Sequence, residues 1–95
     1  MREPWISLRP WLTDEKKWDV IDLRDGKPIG YISILDEGYL PHIFIGDRRM
    51  KFTWAEASLE AAAERITRTW TSEWICILEV DDEPYPEDRP TEGQG

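Results

Sequence analysis

Few residues in this chain can do chemistry, and they do not gather along the sequence. His42 is the only histidine and Cys76 the only cysteine. A nucleophilic site needs a base beside a serine, threonine or cysteine, and a zinc site needs clustered Cys, His or carboxylate ligands. One His and one Cys in separate strand-like runs suggest neither, so His42 reads as a structural or surface histidine. Cys76 sits in an apolar run and reads as a small buried hydrophobe. A lone cysteine also excludes an internal disulfide framework. Asp19 and Asp22 are three residues apart in a strand-like segment, which puts them on opposite faces and not in a carboxylate dyad. Asp22 reads as solvated. Gly26, Gly30, Gly38 and Gly46 fall at turns or in a strand and never form a phosphate-cradling loop. No catalytic, cofactor-binding or metal-ligating residue is assigned, and the expectation is a non-enzymatic protein.

The charge balance narrows the partner. Lys and Arg number 12 against 20 Asp and Glu, a net charge of −8. Such a chain is poorly suited to neutralising phosphates, so direct nucleic-acid binding is not expected. The basic knot Arg48-Arg49-Met50-Lys51 reads as a turn and a short strand. An acidic surface attracts a basic protein surface instead. From Asp81 onward six acids face one base, with three prolines and little to bury. The expected organisation is one α+β domain over residues 1–80 and an acidic, Pro-rich, disordered tail over 81–95. No apolar run approaches the ~18 residues of a membrane span, and the first residues lack the apolar core of a signal peptide. The expected setting is cytoplasmic, away from the membrane.

The elements that must position any site are legible from periodicity. Residues 4–12, bracketed by Pro4 and Pro10, form an extended lead-in with room for a short edge strand. Residues 18–23 and 29–35 read as two strands joined at Asp25-Gly26, a pair suited to a type I′ hairpin turn. That turn sets Val20 opposite Tyr31 and Asp19 opposite Ile32. Residues 39–45 and 49–52 give two more strands. Thr53 followed by Glu56 fits a capping box, and Ala55, Leu59, Ala62 or Ala63, Ile66 and Trp70 recur at helical spacing. Residues 74–80 form a last strand, apolar on both faces and therefore expected to be central. The order β-β-β-β-α-β predicts a small antiparallel or mixed sheet of four to five strands with one helix packed on one face. The crossover through the helix can return the last strand beside an early one, even parallel to it.

In that register Ile21, Leu23, Ile32 and Ile34 form the core face. Trp18, Val20, Ile29 and Tyr31 form the other, which is more apolar than a solvated face should be. These four are the protein-binding candidates, with a second copy or another protein as occupant. The competing reading is internal: the lead-in folds back over them. Six tryptophans in 95 residues fit both uses, because tryptophan fills small cores and anchors interfaces. The layout over residues 18–70, a Gly-turned hairpin, a third strand and an alanine-rich helix opened by Thr-x-x-Glu, resembles that of short phage and bacterial accessory proteins. The functional expectation is an acidic protein-binding module, such as an accessory or inhibitor protein, including a mimic that occupies a nucleic-acid-binding surface. The alternatives are a small-ligand or peptide-binding domain with an aromatic groove, and a small enzyme using carboxylates or His42.

Overall fold

A computed structural model describes residues 5–72, 78–82 and 85. The strands are β1 (Ile6–Pro10), β2 (Lys17–Asp22), β3 (Pro28–Leu35), β4 (Gly38–Ile45) and β5 (Arg48–Phe52), followed by the helix α1 (Leu59–Ser72) and β6 (Leu78–Val80). They build one six-stranded sheet in the spatial order β1-β2-β3-β4-β5-β6, antiparallel throughout. This is the expected α+β arrangement, with the N-terminal strand present as a full member. The last strand does not cross over to an early one. It returns from the helix and pairs antiparallel with β5, at the edge of the sheet and not at its centre.

Short connections fix most of the register. Asp36-Glu37 joins Leu35 to its partner Gly38, and Gly46-Asp47 joins Ile45 to Arg48. Gly46 has φ +62°, the positive value that tight hairpin turns favour. The β2–β3 turn departs from expectation. It spans Leu23 to Lys27, closed by Asp22 N–H to the Lys27 carbonyl and Gly26 N–H to the Asp22 carbonyl. The cause is local: Arg24 folds back on Asp22 with Nε and Nη2 at 2.9 and 2.8 Å, and its backbone N–H donates to the same carboxylate. Arg24 also lies over the Trp5 ring, 4.6 Å from its centre. Beyond this longer loop Val20 pairs with Gly30, Asp19 with Tyr31 and Trp18 with Ile32. The register is thus one residue away from the two-residue turn, and Ile29 is left as a bulge.

That shift exchanges the faces of β2, because side chains alternate strictly along a strand. Val20 and Trp18 join Ile32, Ile43 and Phe52 in the core beneath the helix, where Ala62, Ala63 and Ile66 pack. Leu23, expected in the core, lies in the loop and is exposed. Two alanines in succession let the helix sit close to the sheet. Gly30 extends that closeness, since a Cβ there runs into the His42 carbonyl and comes within 3.2 Å of the Ile66 methyl.

The helix starts later than the capping-box pattern suggests. Ser58 Oγ accepts from Ala61 N–H at 3.1 Å, the geometry of an N-cap. Thr53 and Ala55 lie outside the helix, because Glu56 is used otherwise. Its backbone exchanges two hydrogen bonds with Tyr39, at 2.8 and 2.9 Å. Its carboxylate takes the Trp54 indole N–H and Arg65. On the outer face, Glu64 pairs with Arg68 as the spacing predicts.

Candidate functional site

The face of the sheet away from the helix carries a continuous line of polar groups. Cross-strand pairing places Asp19, Tyr31, His42 and Lys51 side by side, and Ser33 two residues along β3. Lys17 Nζ donates to Ser33 Oγ at 2.8 Å, and Ser33 Oγ lies 2.8 Å from His42 Nε2. His42 Nδ1 is 3.0 Å from Asp81 Oδ2, which also takes the Tyr31 hydroxyl at 2.6 Å. Lysine can only donate, so the Ser33 hydroxyl accepts from it. A carboxylate only accepts, so His42 Nδ1–H donates to Asp81. Between Ser33 Oγ and His42 Nε2 the donor is set by the protonation of the ring nitrogen.

A serine, a histidine and an aspartate thus stand in the order of a nucleophilic relay, with hydrogen-bond distances that suit one. Access does not suit one. Ser33 is 1% exposed, His42 0% and Asp81 4%. Lys17 already occupies an acceptor site on the serine oxygen. Tyr31 lies flat on His42, ring centres 4.0 Å apart. Buried polar groups with their hydrogen bonds made are a stabilising arrangement, and here they tie Asp81, just past the edge strand, back to β3 and β4.

The same face has an aromatic cover. Trp11 lies tilted on Tyr31, ring centres 5.8 Å apart, and donates its indole N–H to Asp19 Oδ1 at 2.8 Å. Tyr85 sits between Trp11, Tyr31 and Phe44, with ring centres at 5.8, 4.9 and 4.8 Å, and its hydroxyl reaches Asp19 Oδ1 at 3.3 Å. Two residues of the segment expected as a tail are described in contact with the body: Asp81 is buried and Tyr85 half-buried. Residues 83–84 and 86–95 lie outside the described residues, as do Trp74 and Cys76.

Beside this cover an open cleft of about 660 Å³ runs across the end of the sheet where the helix finishes. The β2–β3 loop and the β4–β5 turn form its rim. Phe44, Tyr85 and Ile29 line its apolar wall, and Trp70 closes the helix side. Asp25 and Asp47 stand exposed on the rim, with Lys27 and Arg48 near them. Of the five described tryptophans, Trp70 alone is exposed, at 37%. Trp5, Trp18 and Trp54 pack against the core and Trp11 is buried. Asp22 lines the cleft too, but it is buried and held by Arg24, not solvated. The Arg24 side chain, then its backbone N–H, keep the Asp22 carboxyl below its ordinary value.

Of the four residues expected to form a binding face, Val20, Ile29 and Trp18 meet in the core cluster beneath the helix and Tyr31 lies apart from them. Val20, Ile29 and Tyr31 are buried and Trp18 is half-buried. Trp18 and Val20 belong to the helix side, and Tyr31 points to the other. The lead-in adds in the plane of the sheet as β1 beside β2, and of this set only Tyr31 meets its Trp11. What sequence reasoning missed is Ser33, Asp81 and Tyr85. The Tyr31–His42 pairing follows from the two-residue Asp36-Glu37 turn alone, whereas no local signal links Asp81 to them. Among the described residues no three His, Cys, Asp or Glu side chains gather to hold a metal ion, and no helix is long and apolar enough to cross a membrane.

Comparison with protein-family models, with curated proteins and with solved structures gave no match.

Proposed function

We propose that this chain is a non-enzymatic protein-binding module that offers the cleft at the loop end of the sheet to a basic surface on a partner protein. The observation that carries the reading is Trp70, exposed at the mouth of that cleft. Interface hot spots favour an exposed aromatic within a polar rim. The electrostatics point the same way. The last turn of the helix holds no basic residue, so its partial negative end is uncompensated from within. Asp25 and Asp47 add exposed carboxylates on the rim. A partner's Lys or Arg stacked on Trp70 satisfies both, while Lys27 and Arg48 set where a partner's own acids go. The net charge of −8 steers such a partner in and repels polyanions.

The test is capture from the native host with the wild-type chain, Trp70→Ala and Asp47→Lys. Both variants should keep the wild-type circular dichroism and lose the captured protein. Undiminished capture by both removes the cleft from the function. A self-association seen by sedimentation and lost in Trp70→Ala makes the occupant a second copy.

The second reading, a small hydrolase, rests on the Ser33–His42–Asp81 geometry. Labelling of Ser33 by a serine-directed fluorophosphonate would establish it. No labelling of the native protein is the outcome expected from a serine so deeply buried.

A further inference from the structure

We propose that the free edge of β1 pairs with β1 of a second copy of this chain, in the antiparallel register that sets Ile6 opposite Leu8. The inference goes beyond the cleft reading, because no residue of β1 lines the cleft.

The backbone of β1 divides by parity. Leu23 N–H donates to the Trp5 carbonyl and Trp11 N–H to the Lys17 carbonyl, so Trp5 and Trp11 bond toward β2. Alternation along the register between them gives Ser7 and Arg9 the same direction. Ile6, Leu8 and Pro10 therefore turn their backbone groups the other way, out from the edge of the sheet. Among the described residues no backbone group is hydrogen-bonded to that row. Its side chains hold it in place: Ile6 is buried in the core beneath the helix and Leu8 packs against it. A fixed row of open donors and acceptors is a template for another strand.

The row is self-complementary in one register. With Ile6 opposite Leu8 of the second copy, and Leu8 opposite its Ile6, every backbone N–H and C=O of the two residues finds a partner. Sliding the copies to bring Leu8 opposite Leu8 sets Ile6 against Pro10, which has no N–H to give, and the Ile6 carbonyl goes without a donor. The opposite slide sets Leu8 against a position before the start of β1. In the favoured register Ser7 meets Ser7 and Arg9 meets Trp5. β1 carries no acidic residue, so two chains of net charge −8 meet there without setting carboxylate against carboxylate. The other edge strand, β6, has exposed Glu79 at its centre, where two copies repel.

The test joins sedimentation with disulfide mapping. The wild type should sediment as a concentration-dependent dimer, and the dimer should survive Trp70→Ala. Ser7 forms a non-hydrogen-bonded pair with its own copy, Cα atoms roughly 4.5 Å apart, within the range of about 4.4–6.8 Å that a disulfide spans. In a Cys76→Ser background, Ser7→Cys should therefore cross-link to a covalent dimer under mild oxidation, and Arg9→Cys should not. Ser7→Lys sets like charges together and should weaken the dimer about fivefold, with unchanged circular dichroism. If Ser7→Lys does not fold, amide exchange in the wild type takes its place, and the Ile6 and Leu8 amides should slow as concentration rises. A wild type that stays monomeric overturns the proposal. So does cross-linking of Arg9→Cys as fast as that of Ser7→Cys, a dimer indifferent to folded Ser7→Lys, or exchange at Ile6 and Leu8 indifferent to concentration. Loss of the dimer in Trp70→Ala also overturns it and returns self-association to the cleft. A β1 dimer together with undiminished capture by Trp70→Ala removes the cleft reading and leaves this interface standing.

Discussion

Tyr31 and His42 face each other across β3 and β4 with rings 8° from parallel, and both give a hydrogen bond to the same oxygen of Asp81. A carboxylate from beyond the last strand is thereby fixed by two strands it does not adjoin. The pair turns an edge strand of three residues into part of a packed layer.

Removing Asp81 should be costly. Asp81→Ala leaves the Tyr31 hydroxyl and His42 Nδ1 without that acceptor in a buried setting, and the expected loss is about 3 kcal/mol in urea denaturation. Ser33→Ala breaks the line one step earlier and should cost about 1–2 kcal/mol. The double variant should fall short of the sum by about 1 kcal/mol, because both changes act on His42. Strict additivity would show that the line is not a unit.

Gly38 and Gly26 both have positive φ, at 140° and 75°, yet they should respond differently to alanine. A Cβ on Gly38 falls 2.5 Å from the Glu56 carbonyl oxygen, whereas one on Gly26 meets nothing within 4 Å. Gly38→Ala should therefore destabilise by about 3–4 kcal/mol, combining backbone strain with a clash that parts Tyr39 from Glu56. Gly26→Ala should cost only the strain, about 1–2 kcal/mol. Thermal melts of the two variants decide it.

The helix gives a ranked series. Ile66 is fully buried and Leu59 only half so, so Ile66→Ala should cost about 2–4 kcal/mol and Leu59→Ala about 1–2 kcal/mol. Ser58→Ala should cost about 1 kcal/mol as a lost cap. Thr53→Ala and Glu60→Ala, at exposed positions, should stay within about 0.5 kcal/mol. A larger effect at Thr53 than at Ser58 would restore the earlier helix start.

Acid should act through Asp22. Arg24 holds this carboxyl below its ordinary value of 3.8, so the folded state binds the proton less readily than the unfolded state does. The stabilisation is present above that value and lost as pH falls through the lower folded one. The gap in melting temperature between wild type and Asp22→Asn should therefore be constant near neutrality and close in the acid range below pH 3.8. A gap unchanged in strong acid would show that the charge pair does not matter.

The sequence carried the architecture further than the site, and the reasons are local against distant. Strand and helix periods, and the two-residue turns at Asp36-Glu37 and Gly46-Asp47, are properties of neighbouring residues. The β2–β3 loop misled because Asp25-Gly26 looks like a complete turn. Only the grip of Arg24 on Asp22 shows that the loop is longer, and one residue of slip was enough to send Val20 inward and separate it from Tyr31. The helix start misled for a similar reason, since Glu56 serves the Tyr39 bridge and not a cap on Thr53. Asp81 and Tyr85 looked like the opening of a charged tail, and nothing nearby in the chain reveals that their partners lie 50 and 66 residues back.

Spatial strand order that repeats sequence order has a kinetic meaning. Each hairpin from β1 to β5 closes over a short loop, so the sheet can grow one strand at a time at small entropic cost. The Asp81 link is the opposite case. It spans 39 residues to His42 and 50 to Tyr31, and it is available to a chain emerging N-terminus first only after the helix and β6 have followed. Closure of that line therefore follows the hairpins from β1 to β5, and it joins the end of the described sheet to its middle.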